Sequence, residues 1–78
     1  MLSKVPAKLF RCKKGPVLAI LQTQGETFHV VEVTCKGGPR FALGIKQQVG
    51  YYWVIGPKAT KPELWKQMKE TWDITVAD

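Results

Sequence analysis

Acidic side chains are scarce in this sequence of 78 residues. Six Asp and Glu stand against twelve Lys and Arg, and the formal net charge is +6 at pH 7. The carboxylates are scattered, so no pair suggests itself for general acid–base catalysis. The single histidine, His29, lies inside a predicted strand and belongs to no Ser–His–acid set. The sequence therefore predicts no catalytic residues and a protein that is not an enzyme.

Cysteines are fewer still, and Cys12 and Cys35 are the only two. Two cysteines do not make a disulfide framework, and even with His29 their spacing matches no zinc signature. Residues 36–39, KGGP, lack the spacing of a phosphate-binding P-loop. We therefore expect no metal and no cofactor, and two reduced, buried cysteines that act as small apolar residues.

Long hydrophobic runs are missing too. No apolar run approaches the ~18 residues of a membrane span, and the N-terminal residues lack the continuous apolar segment of a signal peptide. The hydrophobic fraction of 45% is that of a globular domain and not of a disordered chain. We therefore expect a single domain over residues 1–78, no association with a membrane, and a cytoplasmic location in which thiols stay reduced.

What the sequence does contain is a series of strand-length segments separated by glycine-containing turns. β-Branched and aromatic residues favour strands, and alternation with a period of two marks their faces. The predicted strands cover residues 7–12, 17–23, 27–35, 40–46 and 50–56, with turns at 13–16, 24–26 and 36–39. Segment 40–46 alternates most clearly, with a core face and a basic face of small residues: Phe41, Leu43 and Ile45 against Arg40, Ala42, Gly44 and Lys46.

Residues 61–72 are predicted to form a helix. Thr60 and Glu63 have the spacing of a capping box, and Pro62 is tolerated in the first turn. One apolar stripe at spacings of three and four is interpreted as core, or alternatively as a dimer or partner face: Leu64, Trp65, Met68 and Trp72. The predicted fold class is α+β, an antiparallel β-meander of about five strands with a C-terminal amphipathic helix packed on one face. The other face is then open to solvent or to a ligand.

Cations and aromatic rings are concentrated before the helix. Residues 1–61 carry ten basic and two acidic side chains, whereas residues 62–78 carry two basic and four acidic ones. Such a mixture is typical of single-stranded nucleic-acid binding, since cations follow the phosphates and rings stack on bases. The predicted contacts are Arg11, Lys13, Lys14, Lys36, Arg40, Lys46, Tyr51, Trp53 and Lys58. The alternative interpretation is that the lysines only solvate the turns and that the rings are core.

Two segments resemble a known family. FRCKKGPVLAIL, residues 10–21, resembles the strand–Lys-Gly–strand opening of the single-stranded-DNA-binding transcriptional coactivators of the positive-cofactor-four type. KPELWKQMKE, residues 61–70, resembles that family's closing helix with its Pro-Glu-x-Trp start. The resemblance implies a β-β-β-β-α unit that dimerises through its helix and binds melted DNA across its sheets. It also implies that Arg11, Lys13 and Lys14 lie on the DNA-binding ridge.

The sequence thus predicts a small, basic, non-enzymatic module that binds single-stranded DNA or RNA as a homodimer and regulates transcription. The alternative is a protein-binding inhibitor or adaptor of the phage or mobile-element type. Such a protein would dock on a host nucleic-acid-processing enzyme through its sheet edge or its Trp-rich helix. A third interpretation is a structural subunit of a larger complex.

Overall fold

The computed structural model describes residues 12–76. Four strands and one helix follow one another along the chain: β1 (Lys13–Thr23), β2 (Glu26–Cys35), β3 (Gly38–Lys46), β4 (Tyr51–Lys58) and α1 (Lys61–Trp72). The strands form an antiparallel sheet in the order β1-β2-β3-β4. An antiparallel meander followed by a helix is therefore confirmed, as is the α+β class. The fifth predicted strand, at 7–12, lies outside the described residues except for Cys12, which belongs to no strand.

Tight turns fix the pairing of the first three strands. Gln24 and Gly25 join β1 to β2 with left-handed φ angles of 57° and 76°, the conformation that matches the twist of a two-residue hairpin. Thr23 therefore pairs with Glu26 across the turn. The next hairpin closes where Cys35 pairs with Gly38, whose φ is 117°.

The turn predicted at 13–16 is wrong, because β1 is already paired with β2 from Lys13 onward. The pairing register shifts between Lys14 and Val17, and this irregularity accommodates Gly15 and Pro16. Proline is tolerated here because one side of an edge strand has no ladder hydrogen bond to lose. Gly15 runs so close to β2 that a Cβ atom would lie 2.7 Å from the carbonyl oxygen of Glu32.

An apolar cluster that includes helix residues lies on one side of the sheet, which we call the helix face. Leu64 and Met68 of α1 are fully buried in it, and the ring of Trp72 meets Phe28 edge-on with centroids 5.4 Å apart. The buried members are Phe28, Val30, Leu43, Ile45, Val54, Ile55, Leu64, Met68 and Ile74. These apolar side chains are buried against the helix and are therefore not available to a ligand.

Both ends of α1 are capped, and its predicted bounds are confirmed. The Thr60 hydroxyl accepts the Glu63 N–H at 3.3 Å and donates to the Glu63 carboxylate at 3.0 Å. Asp73 ends the helix in the left-handed conformation, with φ at 54°. The Gln24 side-chain amide donates to the carbonyl oxygen of Trp72 at 2.6 Å, which links the first hairpin to the end of the helix.

The opposite side of the sheet, the second face, has a small core of its own. Its buried residues are Val31, Val33, Ala42 and Trp53. Ala42 lies on this side and Leu43 and Ile45 on the other, as the alternation in 40–46 predicts. The centre of this face is apolar and buried, since Trp53 belongs to this cluster and is only 5% exposed.

A disulfide joins Cys12 to Cys35, so the prediction of two reduced thiols is wrong. Lys13 pairs with Thr34, so Cys12, which precedes Lys13, lies opposite Cys35, which follows Thr34. The two Cα atoms are 4.2 Å apart, close to the spacing of a non-hydrogen-bonded antiparallel pair. The cysteines are 23 positions apart in the sequence, and only the strand register shows that they meet.

Candidate nucleic-acid interface

The acidic side chains of the described residues are confined to one side of the sheet. Glu26 and Glu32 of β2 are an even number of residues from Phe28, so they share its side of the strand, the helix face. The other acidic residues of the described chain lie in α1 or directly after it: Glu63, Glu70 and Asp73. No carboxylate of residues 12–76 therefore belongs to a strand position on the second face.

Cations occupy the second face instead. Lys14 and Arg40 flank Val33 in the strand register, and Val33 belongs to the second core. Lys46 pairs with Tyr51, which packs against the same core. This face consequently has positive charge around an apolar and aromatic centre, an arrangement that attracts anions.

Four side chains, one from each strand, converge on the second face, and we call them the four-strand cluster: Lys14, His29, Lys46 and Tyr51. The ammonium nitrogens of Lys14 and Lys46 are each 5.5 Å from the centroid of the Tyr51 ring. The Tyr51 hydroxyl lies 2.7 Å from Nδ1 of His29, and the two rings meet at 61°. Both lysines are exposed, whereas Tyr51 and His29 are half-buried, so a ligand can reach the cluster.

Gly44 determines where the two aromatic rings lie. A Cβ atom on this residue would lie 2.8 Å from the Trp53 ring and 3.1 Å from the Tyr51 ring. The Trp53 ring is therefore held against the β3 backbone, and Tyr51 packs on it with centroids 4.8 Å apart. Trp53 is only 5% exposed. Of the two rings predicted to stack on bases, only Tyr51 is accessible.

The environment fixes the protonation of the cluster near neutral pH. Partial burial lowers the pKa of His29 below its usual value of 6.5, and the positive charges of Lys46 and Lys14 lower it further. Burial raises the pKa of the Tyr51 phenol, which therefore stays protonated. The cluster thus holds two lysine cations, a neutral imidazole and a phenol.

The remaining predicted contact residues do not join the four-strand cluster. Lys13 is the strand neighbour of Lys14 and so points to the opposite side. Lys58 pairs with Phe41, which packs against the core of the helix face. Arg40 is on the second face, but its guanidinium turns back to donate to its own neighbour, the Pro39 carbonyl, at 3.2 Å. Lys36 is in the exposed turn before β3, and Arg11 lies outside the described residues.

His29 was not among the predicted site residues. A lone histidine within a strand was interpreted as structural, yet one signal in the sequence places it on the second face. It is an even number of residues from Val31 and Val33, so its side chain lies on their side of the strand. Phe28, the adjacent residue, points the other way into the core of the helix face. Register then sets His29 directly opposite Gly44, where no side chain blocks its approach to Tyr51.

The predicted dimer or partner stripe is largely internal. Leu64 and Met68 are fully buried within the chain's own core, so they are not available to a partner. Trp65 and Trp72 are half-buried and pack against that core. These two side chains are therefore only partly accessible at the surface.

Neither a metal centre nor a membrane-spanning helix emerges from the described part of the chain. Among residues 12–76, no group of three His, Cys, Asp or Glu side chains is arranged to hold a metal ion. No helix in this range is long and apolar enough to cross a membrane.

Comparison of the chain with protein-family models, curated proteins and solved structures finds no match. The geometry of the second face therefore carries the functional argument.

Proposed function

We propose that the protein is a non-enzymatic module that binds single-stranded nucleic acid on the second face of its sheet. The observation that carries the proposal is the four-strand cluster, in which two lysine cations flank an accessible tyrosine ring. Single-stranded nucleic acid is bound by this combination, because cations neutralise phosphates while a ring stacks on a base. Lys36 and Arg40 lie at one end of the sheet and extend the positive surface of the second face.

The test is a titration of a fluorescent single-stranded oligonucleotide at several salt concentrations. Replacing Lys14 and Lys46 together by alanine should weaken binding and flatten the plot of log affinity against log salt by about 0.7 for each phosphate that is no longer neutralised. The matched control is Lys61→Ala with Lys66→Ala, which removes the same charge from the helix and should leave the slope unchanged. Equal effects of the two double variants would contradict a site on the second face.

The stacking role of Tyr51 can be measured separately. Tyr51→Ala should weaken binding by about 1–3 kcal/mol, the usual value of one base–aromatic stack. Tyr51→Phe retains the ring and should retain most of the affinity. Trp53→Phe addresses the buried ring and is expected to affect folding more than binding, since Trp53 does not face solvent.

The finer architecture inferred from the sequence belongs to the same proposal. The amphipathic helix covers one face, which the burial of Leu64 and Met68 beside Phe28 supports, and the opposite face is left for the ligand. A homodimer that places two such faces side by side would double the length of single-stranded nucleic acid that is bound. Because the predicted stripe is mostly internal, a helix-mediated dimer would rest on Trp65 and Trp72. Sedimentation of wild type and a Trp65→Ala variant tests this arrangement.

A second candidate function, docking on a protein partner, is favoured by the edge strand β1. Three large apolar side chains of β1 remain exposed: Val17, Leu18 and Ile20, at 38%, 40% and 59%. Exposed apolar residues on an edge strand are typical of surfaces that pair with another chain. A stoichiometric protein partner that survives nuclease treatment and is lost in Ile20→Lys would favour this function, in the sense of an inhibitor or adaptor of a nucleic-acid-processing enzyme.

The cytoplasmic location is a prediction that the disulfide makes testable. Disulfides persist in oxidising compartments and are rare in the cytosol. Mass spectrometry of the protein alkylated directly in cells gives the redox state of Cys12 and Cys35. Free thiols would agree with a cytoplasmic location, whereas a disulfide would place the protein in an oxidising compartment.

A further inference from the structure

His29 is the only imidazole in the sequence, and it lies where an anion would change its charge. We propose that His29 takes up a proton from solvent when a backbone phosphate of the nucleic acid binds at the four-strand cluster, so that the imidazolium becomes the third cation of the site. This inference rests on the proposed function and adds to it a proton-linked phosphate subsite. It predicts tighter binding at acidic pH than at neutral pH.

The charges around His29 explain why it is neutral without a ligand. The Tyr51 phenol of β4 meets His29 directly, and the ammonium groups of Lys14 from β1 and Lys46 from β3 lie over the same Tyr51 ring, where their charges act on the imidazole. On its own strand, the neighbours on the same side are Thr27 and Val31, neither of which is charged. No carboxylate of the described chain occupies this face to offset the lysines. A third positive charge is therefore unfavourable here until an anion arrives, and partial burial together with the charges of Lys46 and Lys14 lowers the pKa of the imidazole.

A phosphodiester bound at the cluster reverses this balance. Its negative charge screens the two ammonium groups from each other and attracts an imidazolium, so the protonated form of His29 becomes favourable. The effect is reciprocal, because an anion that favours the proton must itself be favoured by the proton. A pKa that rises by one unit on binding corresponds to about tenfold tighter binding at low pH than at high pH.

The hydrogen bond between His29 and Tyr51 gives this proton a second consequence. When Nδ1 of a neutral imidazole accepts from the phenol, the hydroxyl hydrogen is occupied within the pair. A protonated Nδ1 must donate instead, and the phenol oxygen becomes the acceptor. The Tyr51 hydroxyl hydrogen is then free to point outward to a phosphate oxygen. One proton thus supplies both a new charge and a new hydrogen-bond donor.

The experiment follows the imidazole signal of His29 by proton NMR from pH 5 to pH 8. Because the chain has one histidine, the signal needs no assignment by mutation. The full chain is titrated alone, with saturating oligothymidylate, and with sodium sulfate against sodium chloride of equal ionic strength. Diester phosphates and sulfate keep a constant charge over this range, so a change in titration reports on His29. Affinity for the oligothymidylate is measured over the same range.

We expect the pKa of His29 to rise with oligothymidylate, and the affinity to rise as the pH falls from the bound pKa to the free pKa. His29→Gln keeps a side chain that bonds to the phenol and cannot be protonated. Whatever its affinity at pH 8, this variant should lose the rise in affinity between neutral and acidic pH that wild type shows. Folding of this variant is checked by its amide spectrum, and Lys61→Ala serves as the control that retains the pH dependence.

The possible failures are distinct. If oligothymidylate binds in a manner that depends on Lys14 and Lys46 while the pKa of His29 stays constant, the proton-linked subsite is wrong and the proposed function stands. If sulfate raises the pKa of His29 and oligothymidylate does not bind, the cluster is an anion site and the nucleic-acid function is wrong. If neither anion shifts the titration and no oligonucleotide binds, both proposals are wrong.

Discussion

Gly44 is the residue that gives the second face its shape. It lies opposite His29 in β2 and opposite Trp53 in β4, and the missing side chain leaves room for two rings to lie on the backbone. The ring of Tyr51 can then reach His29 while both lysines approach it. A small residue in the middle of β3 thus determines which groups meet on a surface made by four strands.

Gly44→Ala is expected to destabilise the protein by about 1–3 kcal/mol, the usual cost of forcing an extra methyl group into a packed site. The added Cβ would lie 2.8 Å from Trp53, and the buried ring has no free direction in which to move. Urea unfolding measures the loss. Gly37→Ala is the matched control, because its closest neighbour is the flexible end of Arg40 at 3.0 Å. Similar losses in both variants would mean that ring packing is not the cause.

Side-chain alternation predicts a good part of the site. The parity of 40–46 and of 27–35 places Lys46 and His29 on one face and Phe28 on the other, and the structure agrees. Convergence was not predictable, because it depends on register. Nothing in the sequence indicates that Lys14 of β1 and Lys46 of β3 both reach Tyr51. The disulfide could not be predicted for the same reason, because it too depends on the strand register.

At the scale of the elements, α1 was predicted with its correct bounds and the start of β1 was not. The helix carries its own signals, a capping threonine and a stripe of period 3.6, which depend only on nearby residues. The start of β1 contains Gly15 and Pro16, which normally mark a turn. Its strand conformation depends on the pairing of Lys13 with Thr34 and of Lys14 with Val33 and on the disulfide, all of which are distant in the sequence.

The disulfide should stabilise the protein and hold the start of β1 in place. Register shifts separate Lys13 and Lys14 from the regular pairing that begins at Ala19. The disulfide between Cys12 and Cys35 is therefore the main constraint on their position. The loop that it closes predicts a stabilisation of about 3 kcal/mol in the chain-entropy description. Reduction should lower the free energy of unfolding by this amount, as measured by urea titration with and without dithiothreitol.

Nucleic-acid affinity should fall on reduction as well, because Lys14 would no longer be held over Tyr51. The double variant Cys12→Ser with Cys35→Ser is the control, since it should behave like the reduced protein and be insensitive to dithiothreitol. If reduction changed stability and left affinity unchanged, Lys14 would reach the ligand without help from the disulfide.

At the scale of the whole molecule, two titrations shape the stability of the protein in acid. The folded-state pKa of His29 lies below its unfolded value, so the unfolded chain binds the proton more readily and stability falls as the pH drops through 6.5 toward the folded pKa. The hydrogen bond and charge of Lys69 lower the pKa of Asp73, so its contribution is present above pH 3.8 and is lost as the pH falls through the folded value.

Thermal unfolding measured between about pH 2 and pH 8 should therefore show a decline that begins near pH 6.5 and a further loss in stronger acid. His29→Gln should remove this upper decline and leave the loss in stronger acid unchanged. Asp73→Asn should do the reverse, removing part of the loss below pH 4 while the decline near pH 6.5 persists. An upper decline that survives in His29→Gln would have to come from a group other than the imidazole.

The confinement of carboxylates to the helix side of the sheet is the property of the molecule on which its proposed function depends. A net charge of +6 alone would attract nucleic acid to any part of the surface. Acidic side chains of the described chain are confined to the helix, the residue after it and the helix face, however, so that the second face has the more uniform positive potential. If location matters, two variants of equal net charge should bind differently.

Lys14→Glu with Lys46→Glu and Lys61→Glu with Lys66→Glu each lower the net charge by four, from +6 to +2. The first pair places two carboxylates beside Tyr51 and should abolish binding of a single-stranded oligonucleotide at moderate salt. The second pair adds acid to a helix that already carries carboxylates and should reduce affinity only through the weaker overall field, an effect that salt screens. Anisotropy titrations at two salt concentrations separate the two contributions. Equal loss in both variants at both salt concentrations would mean that the protein attracts nucleic acid through its net charge and has no localised site.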